Sequence, residues 1–328
     1  MMLRTLVFTL ALLLPQMAVA TCNGTDLRTR LTADQTADLD ALMRDMPYPD
    51  GNHWIAHKGD QTIHLIGTIH VADPRLPAVA DALAPVIATA DALLVEATAI
   101  EEEQLKDAMA TRPELISLAS GPTLIDLMPA EDWAELAQAA SQRGIPPFMA
   151  AKLQPWYLSL ILGMPPCVMT AMQNGGEGLD KALLRVASEN GTPATALEPF
   201  DTLFTLMGQD PLEEQVALLR LGTFGVQQLE DLTATLVAQY FAQEHGAIMP
   251  LNRVVTRSWL DLPKSEFDVL FDDMLDKLLV RRNANWLPKI TASQGVTVVA
   301  VGAGHLGGTH GLLNLLAGDG YMLTRQPF

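Results

Sequence analysis

Cysteine and basic residues are scarce in this sequence, and each shortage excludes a class of site. Of its 328 residues two are cysteines, Cys22 and Cys167, and they stand too far apart in the chain to form a zinc-binding cluster. The 21 Lys and Arg residues face 38 Asp and Glu residues, which gives a net charge of −17. A chain this acidic is a poor candidate for binding nucleic acid or anionic membrane surfaces.

Motifs of several enzyme classes are also missing. No Ser, Cys or Thr lies in a nucleophile-elbow pattern such as Gly-x-Ser-x-Gly, which disfavours covalent catalysis. The Gly-rich run 302–308 has no Gly-x-x-x-x-Gly-Lys-Ser/Thr motif, and we expect no nucleotide cofactor. The chain has no repeats and no low-complexity linker. We therefore predict one domain over residues 21–328.

The first 20 residues predict a secretory signal peptide. Arg4 gives a short positive segment, residues 5–14 are an apolar run, and Ala18-Val19-Ala20 is a small-x-small cleavage site. We predict cleavage after Ala20 and a periplasmic or secreted protein without a stable membrane span; an uncleaved anchor is the alternative. In an exported protein the two cysteines are allowed to pair, and the sequence leaves that pairing open.

Along the chain, segments with the apolar pattern of a β-strand alternate with segments that have the apolar pattern of a helix. Five segments are predicted strands: His53–His57, Thr62–Ile69, Asp91–Glu96, Thr192–Leu197 and Val296–Val301. Helices are predicted for residues 23–50, Pro77–Thr89, the Pro- and Gly-broken segment 100–190, Leu212–Gln243 with breaks near Gly222 and Gly225, Ser265–Trp286 and Gly311–Leu316. This order predicts an α/β fold: a central mixed, largely parallel sheet flanked by helices, with a helical middle segment.

Polar residues follow three of the predicted strands. His70, Glu96 and His305 each come at the carboxyl end of a buried strand, where sites form in parallel sheets. Two imidazoles and a carboxylate can bind a divalent metal that keeps an open position for water. They can equally act without metal, with Glu96 or a His as the general base on water.

Each of these residues also has a structural interpretation. A single strand-end His is more often a hydrogen-bonding residue than a catalyst, and Glu96 could cap the following helix. His310 is interpreted as a capping residue, and His53, His57 and His245 as surface or hairpin residues. Arg282 lies near the end of a predicted helix, where basic residues are expected from the helix dipole, but it could also enter the site and stabilise an oxyanion.

Four groups of segments, in this order and spacing, resemble the TraB/GumN family over roughly residues 50–325. They are Leu65-Ile66-Gly67-Thr68-Ile69-His70-Val71 with Leu94-Val95-Glu96; Gly178-Leu179-Asp180 with Ala194-Thr195-Ala196-Leu197-Glu198; Arg282-Asn283 with Trp286; and Val301-Gly302-Ala303-Gly304-His305-Leu306 with Gly311-Leu312 and Gly320-Tyr321.

The resemblance implies hydrolytic chemistry at the strand-end residues. The wider superfamily includes the TIKI proteases, which carry two Gly-x-x-His motifs and depend on a divalent metal. It is also similar to the erythromycin esterases, which use His and Glu without an established need for metal. Carried over to this sequence, the two motifs fall on Gly67/His70 and Gly302/His305, with Glu96 between them. Pro199 departs from the family pattern and puts a catalytic role for Glu198 in doubt.

The sequence therefore predicts an exported hydrolase that cleaves a peptide or ester bond. His70, Glu96, His305 and Arg282 are its predicted catalytic residues, and the first three are also its predicted ligands for Mn²⁺, Co²⁺ or Zn²⁺. The predicted partner is a peptide or small-molecule substrate. The alternative is a non-catalytic periplasmic protein that binds a peptide or sugar in the same cleft and acts as a regulator.

Overall fold

The computed structural model describes residues 22–328. The predicted signal peptide and its cleavage site lie outside these described residues. Within them, the structure contains no helix whose length and apolarity would let it cross a bilayer. Cys22, near the start of the described chain, forms a disulfide with Cys167 at a Cα–Cα distance of 5.3 Å. The pairing that the sequence left open is thus present.

A six-stranded sheet is the centre of the fold. The strands are β1 (His53–Lys58), β2 (Gln61–Thr68), β3 (Ala92–Val95), β4 (Ala194–Ala196), β5 (Val296–Gly302) and β6 (Met322–Arg325). Their order across the sheet is β4-β3-β5-β2-β1-β6. The four strands from β4 to β2 run parallel, whereas β1 is antiparallel to both β2 and β6. The predicted mixed, largely parallel sheet is confirmed.

The helices that surround the sheet, within residues 22–328, are α1 (Ala33–Met43), α2 (Leu76–Ala88), α3 (Ala99–Thr111), α4 (Leu124–Leu127), α5 (Ala130–Ser141), α6 (Pro147–Ala150), α7 (Pro155–Leu162), α8 (Pro166–Gln173), α9 (Leu179–Asn190), α10 (Thr202–Gly208), α11 (Leu212–Leu221), α12 (Val226–Phe241), α13 (Ile248–Arg257), α14 (Lys264–Leu275), α15 (Arg281–Thr291) and α16 (Leu312–Gly318). A π-helical turn, Asp276–Val280, joins α14 to α15. Helices α3 to α9 confirm the predicted helical middle segment.

Both faces of the sheet are covered because its central strands are apolar on both sides. On one face, Ile66 and Val298 pack with α2 and α9. On the other, Leu65 and Val299 pack with α15 and α16. The middle segment adds a third apolar cluster, which includes Leu158 of α7. The single domain predicted over residues 21–328 stays a prediction.

Several local predictions were wrong. The segment 23–50, predicted to be largely helical, contains only a short 3₁₀ helix at Leu27–Arg30 and the helix α1. Thr32 caps the start of α1, and the Pro-rich segment 46–51 follows its end. Strand β6 was missed: it is a four-residue edge strand with little apolar signal. His245, predicted as a surface or hairpin residue, is instead 2% exposed, and its Nε2 contacts a backbone carbonyl at 2.9 Å. His53 lies in the predicted hairpin but is 5% exposed, and its Nε2 contacts His64 Nδ1 at 3.1 Å.

Candidate active site

Three adjacent parallel strands bring the predicted site residues to one edge of the sheet. His70 comes two residues after β2, Glu96 comes directly after β3, and His305 comes three residues after β5. Because β5 lies between β2 and β3, all three side chains reach the same edge. Arg282 joins them from α15 on one face of the sheet. The structure therefore brings all four residues together, and their catalytic and ligand roles stay predictions.

Glu96 is the residue that the others share. Its Oε1 accepts the Gly302 N–H at 2.7 Å, and the Nε2 atoms of His70 and His305 lie 3.8 and 3.9 Å from the same oxygen. A Cβ atom at Gly302 would lie 3.3 Å from Oε1, so glycine keeps this space open. Burial raises the pKa of Glu96, but His305, Arg282 and His70, with the Gly302 N–H, outweigh it and lower the pKa to about 2. The carboxylate is therefore ionised.

The tautomer of His305 follows from its partner Asn283. The Asn283 Nδ2 donates to the backbone carbonyls of His305 and His310 at 3.2 and 2.8 Å. Its Oδ1 must therefore accept a hydrogen bond from the protonated Nδ1 of His305, 2.7 Å away. Since burial lowers the pKa of His305 to about 4, the ring is neutral near pH 7. Its unprotonated Nε2 lies 3.9 Å from Glu96 Oε1 and accepts a hydrogen bond from Arg282 Nη1 at 3.4 Å.

His70 is in the opposite electrostatic environment. Its Nδ1 lies 3.2 Å from Oδ1 of Asp180, in the first turn of α9. This carboxylate, helped by Glu96, raises the pKa of His70 to about 9 despite desolvation. The Leu179 N–H donates to the backbone carbonyl of Ile69 at 2.9 Å and so attaches the start of α9 to the segment that carries His70. His70 is thus a protonated ring at the mouth of the site, with its side chain 61% exposed.

Arg282 bridges the Glu96 and Glu198 carboxylates at the strand ends, whose side chains are 17% and 13% exposed. Its Nη2 donates to Glu96 Oε2 at 2.5 Å and to Glu198 Oε1 at 2.7 Å. The indole N–H of Trp286, one turn further along α15, donates to the other Glu198 oxygen at 3.0 Å. The guanidinium also lies 4.7 Å from the Trp286 ring centre. These contacts hold Arg282 in place, and its Nη1 lies 3.4 Å from Nε2 of His305.

Sequence reasoning missed three residues of this site. Glu198 was in doubt because of Pro199, although it follows β4 as Glu96 follows β3; that shared strand-end position was the signal for it. Asp180 stood in the resembling segment Gly178-Leu179-Asp180 but received no role. Asn283 stood in the resembling segment Arg282-Asn283 but also received no role, because its contact is with a loop 22 residues away in sequence.

A cavity of about 270 Å³ opens at this edge of the sheet. His70, Glu96, Asp180, Glu198 and Arg282 form its polar wall. The remaining wall includes Leu105, Pro199, Phe200 and Leu203, with Glu101 and Glu102. A small polar cluster thus lies beside an apolar surface, which is the usual composition of a small-molecule or peptide-side-chain pocket.

A sequence profile of the TraB/PrgY/gumN family matches residues 52–325. The chain belongs to this family. It is also 25% identical over 278 residues to the uncharacterized protein YbaP of Escherichia coli K12, an alignment that covers 81% of this chain and 94% of the relative. YbaP of Shigella flexneri matches with the same identity and coverage. The region that matches the TraB/PrgY/gumN profile contains every residue of the site described above.

The distances between the predicted metal ligands can be compared with the distances that one bound ion would require. Ligands at about 2.1 Å from one tetrahedral ion lie about 3.4 Å from each other, whereas each imidazole Nε2 lies 3.8 or 3.9 Å from Glu96 Oε1. Within residues 22–328, no three His, Cys, Asp or Glu side chains are arranged to hold a metal ion. The donor types suit Zn²⁺ or Mn²⁺, but the spacing does not fit without side-chain movement. A divalent metal stays a prediction.

In the Gly-rich segment after β5, Gly302, Gly304 and Gly307 have the spacing Gly-x-Gly-x-x-Gly. In a dinucleotide-binding fold this motif opens directly into a helix whose N-terminus holds a phosphate. Here a short 3₁₀ turn, Ala303–His305, comes first, and the next helix begins only at Leu312. The segment instead places His305 in the site.

Proposed function

We propose that this member of the TraB/PrgY/gumN family is a hydrolase that cleaves a peptide or ester bond at the sheet-edge site. One observation carries the proposal: two imidazole Nε2 atoms lie 3.8 and 3.9 Å from the same oxygen of Glu96. One ring, His305, presents a lone pair there, and the other, His70, presents an N–H. Paired groups held in opposite protonation states are the usual basis of acid–base hydrolysis.

His305 is the general base of the proposed reaction. Its Nε2 takes a proton from a water molecule while the water oxygen forms a bond to the carbonyl carbon of the substrate. The imidazolium that forms is stabilised by the ionised Glu96, and Asn283 holds the ring in the required orientation. Because Glu96 has a pKa of about 2, it is too weak a base to take the proton itself.

His70 supports the charge that develops on the substrate. The protonated ring donates from Nε2 to the carbonyl oxygen as it becomes an oxyanion. When the tetrahedral intermediate collapses, the bond from carbon to the leaving nitrogen or oxygen breaks, and the proton held by His305 passes to the leaving group. The products are a carboxylic acid and an amine or alcohol. Arg282 positions Glu96. Direct binding of the oxyanion by Arg282, as predicted from sequence, would require its Nη1 to leave the Leu278 carbonyl and His305 Nε2, to which it now donates.

Replacing Glu96 by Gln tests this function. The purified chain, starting at Thr21, is assayed with a 4-nitrophenyl acyl ester and with a set of fluorogenic peptides. We expect Glu96→Gln to lower kcat at least ~10²-fold, because the His305 imidazolium loses its counter-charge. The matched control is Glu102→Gln, which removes a carboxylate from the cavity rim that contacts Lys181 rather than the imidazoles. Turnover that survives in Glu96→Gln would overturn the proposal.

The same assay separates the metal-dependent, metal-free and non-catalytic alternatives. If wild-type activity disappears with a chelator and returns with Mn²⁺, Co²⁺ or Zn²⁺, the predicted metal is required; constant activity supports the metal-free mechanism. A binding protein would show no turnover, and Glu96→Gln would retain its ligand. Turnover is measured as a rate and ligand binding by calorimetry, both on the same preparation.

We also propose that the chain is exported. Disulfides persist in oxidising compartments such as the periplasm and are rare in the cytosol, so the Cys22–Cys167 bond supports this location. Amino-terminal sequencing of the protein recovered from its native cells should begin at Thr21. A cytosolic protein that begins at residue 1 would contradict export and would leave the hydrolase proposal intact.

A further inference from the structure

A second cavity lies among the helices of the middle and late parts of the chain. Its volume is about 290 Å³. Its walls come from α7, α11, α13 and α14, and the side chains that define it are Trp156, Leu218, Phe224, Phe267, Leu270 and Met274. None of its lining residues also lines the cavity at the sheet edge. We call it the helical cavity.

The walls of the helical cavity are mainly aromatic and aliphatic. Protein interiors are normally packed as densely as organic crystals, with few voids larger than one water molecule. A space bounded by large apolar side chains loses dispersion contacts while it stays unfilled. An apolar ligand that entered would restore those contacts and would release any water held against the aromatic rings.

One end of the helical cavity is charged. Lys277 is the one basic residue among the described residues that line it, and Asp210 and Asp273 are the acidic ones. Lys277 Nζ contacts both carboxylates, at 2.5 and 2.6 Å. One positive charge against two negative charges leaves this end with one uncompensated negative charge.

A buried acceptor adds to this polarity. Gln215 lines the helical cavity and is 6% exposed. Its Nε2 donates to the Asp210 carbonyl at 2.8 Å, which fixes the orientation of the amide. Its Oε1 is buried and has no hydrogen-bond donor among the described residues. Hydrogen-bond acceptors are thus in excess over donors at the charged end of the cavity.

From this apolar wall and acidic end, we propose that the helical cavity binds a small cationic amphiphile, an alkyl chain that ends in a primary ammonium group. The chain fills the space between Leu218, Phe267 and Leu270. The ammonium group donates hydrogen bonds toward Asp273 and Asp210, where it supplies the missing positive charge. A carboxylate on the same chain would meet like charge and would bind weakly.

Calorimetry on the disulfide-linked wild-type chain at pH 7 tests the proposal with three probes of equal chain length: octylammonium, octanol and octanoate. We expect octylammonium to bind at least ten times more tightly than octanoate, with octanol between them. Equal affinity for the ammonium and the carboxylate, or no binding of octylammonium, would overturn the proposal.

Two variants locate the binding. Leu270→Trp fills the helical cavity and should abolish octylammonium binding, whereas Val269→Trp, on the neighbouring residue whose side chain is 68% exposed, should not. Asp273→Asn, at a half-exposed position, should remove most of the preference for octylammonium over octanol and keep the binding of octanol. Binding lost equally in Val269→Trp, or an unchanged preference in Asp273→Asn, would contradict the assignment even if Leu270→Trp fails to fold. Hydrolysis is not part of any of these readouts, so this site and the sheet-edge site succeed or fail separately.

Discussion

Two histidines at one carboxylate differ because their second nitrogens have different partners. Asn283 holds His305 Nδ1 with a neutral amide at 2.7 Å, and burial then keeps the ring neutral. Asp180 places a full negative charge 3.2 Å from His70 Nδ1, which favours the protonated ring. At the scale of single residues, the proposed acid–base chemistry therefore depends on residues that need not touch the substrate.

Replacing Asp180 by Asn should move the alkaline limit of activity. The pKa of His70 is raised from 6.5 to about 9, mainly by Asp180, so the proton on His70 is lost as the pH rises through about 9 in wild type. Without the carboxylate this loss should occur closer to pH 7. We expect the alkaline limb of the plot of kcat/KM against pH to shift down by at least one pH unit. Glu102→Gln is the control, since Glu102 lines the same cavity without contacting His70. An unshifted limb would show that Asp180 does not act through His70.

The strand-end positions of this site were predictable, but its protonation states were not. Apolar runs that end in a polar residue located His70, Glu96 and His305 from sequence alone. Asn283 and Asp180 reach the site from α15 and α9, which are distant in sequence from the histidines they contact. Their effect depends on tertiary packing, and no local pattern encodes it.

At the scale of elements, α15 binds the end of β4 through one stripe of side chains. Arg282, Trp286 and Lys289 are spaced by four and three residues and so share one face of the helix. Arg282 and Trp286 donate to the Glu198 carboxylate, and Lys289 Nζ donates to the Leu197 carbonyl at 2.6 Å. This stripe fixes the helix that carries Arg282 against the strand end that carries Glu198.

Trp286→Phe should weaken both stability and turnover. The substitution removes the N–H that Glu198 accepts and leaves a small void, because Trp286 is fully buried. We expect the free energy of unfolding in urea to fall by about 2–3 kcal/mol, and kcat to fall as Glu198 and Arg282 reposition. In Trp133→Phe, which alters the separate cluster of the middle segment, stability should fall with no change in kcat. Equal kcat in both variants would argue against the role of the stripe.

The helix predicted over Ser265–Trp286 was correct in position but not in its internal structure or its end. Its apolar stripe correctly located α14, but the structure adds the π-helical turn Asp276–Val280 and continues to Thr291. Apolar spacing of three and four residues does not distinguish an α-turn from a π-turn. The short helices α10 and α13 were missed as well. The mixed, largely parallel sheet, in contrast, was predicted from the alternation of apolar strands and helices, although the order of its strands was not.

At the scale of the whole molecule, the disulfide connects the start of the described chain to α8. It joins residues that are 145 apart in sequence, so breaking it frees a long loop in the unfolded state. We expect Cys22→Ser to lower the free energy of unfolding by about 2–5 kcal/mol. Cys167→Ser and the double variant should lose the same amount, because each breaks the same bond. Losses that add in the double variant would mean that the cysteines stabilise the fold independently.

The central claim is that a neutral His305 and a protonated His70 act together at Glu96. Its most direct test is kcat/KM for ester or peptide hydrolysis, measured across pH in wild type and in His305→Gln. With His305 near pKa 4 and His70 near pKa 9, wild type should show a plateau that falls below about pH 4 and above about pH 9, and His305→Gln should lose at least ~10²-fold at every pH. A single transition near pH 6.5, or full activity in His305→Gln, would contradict the account.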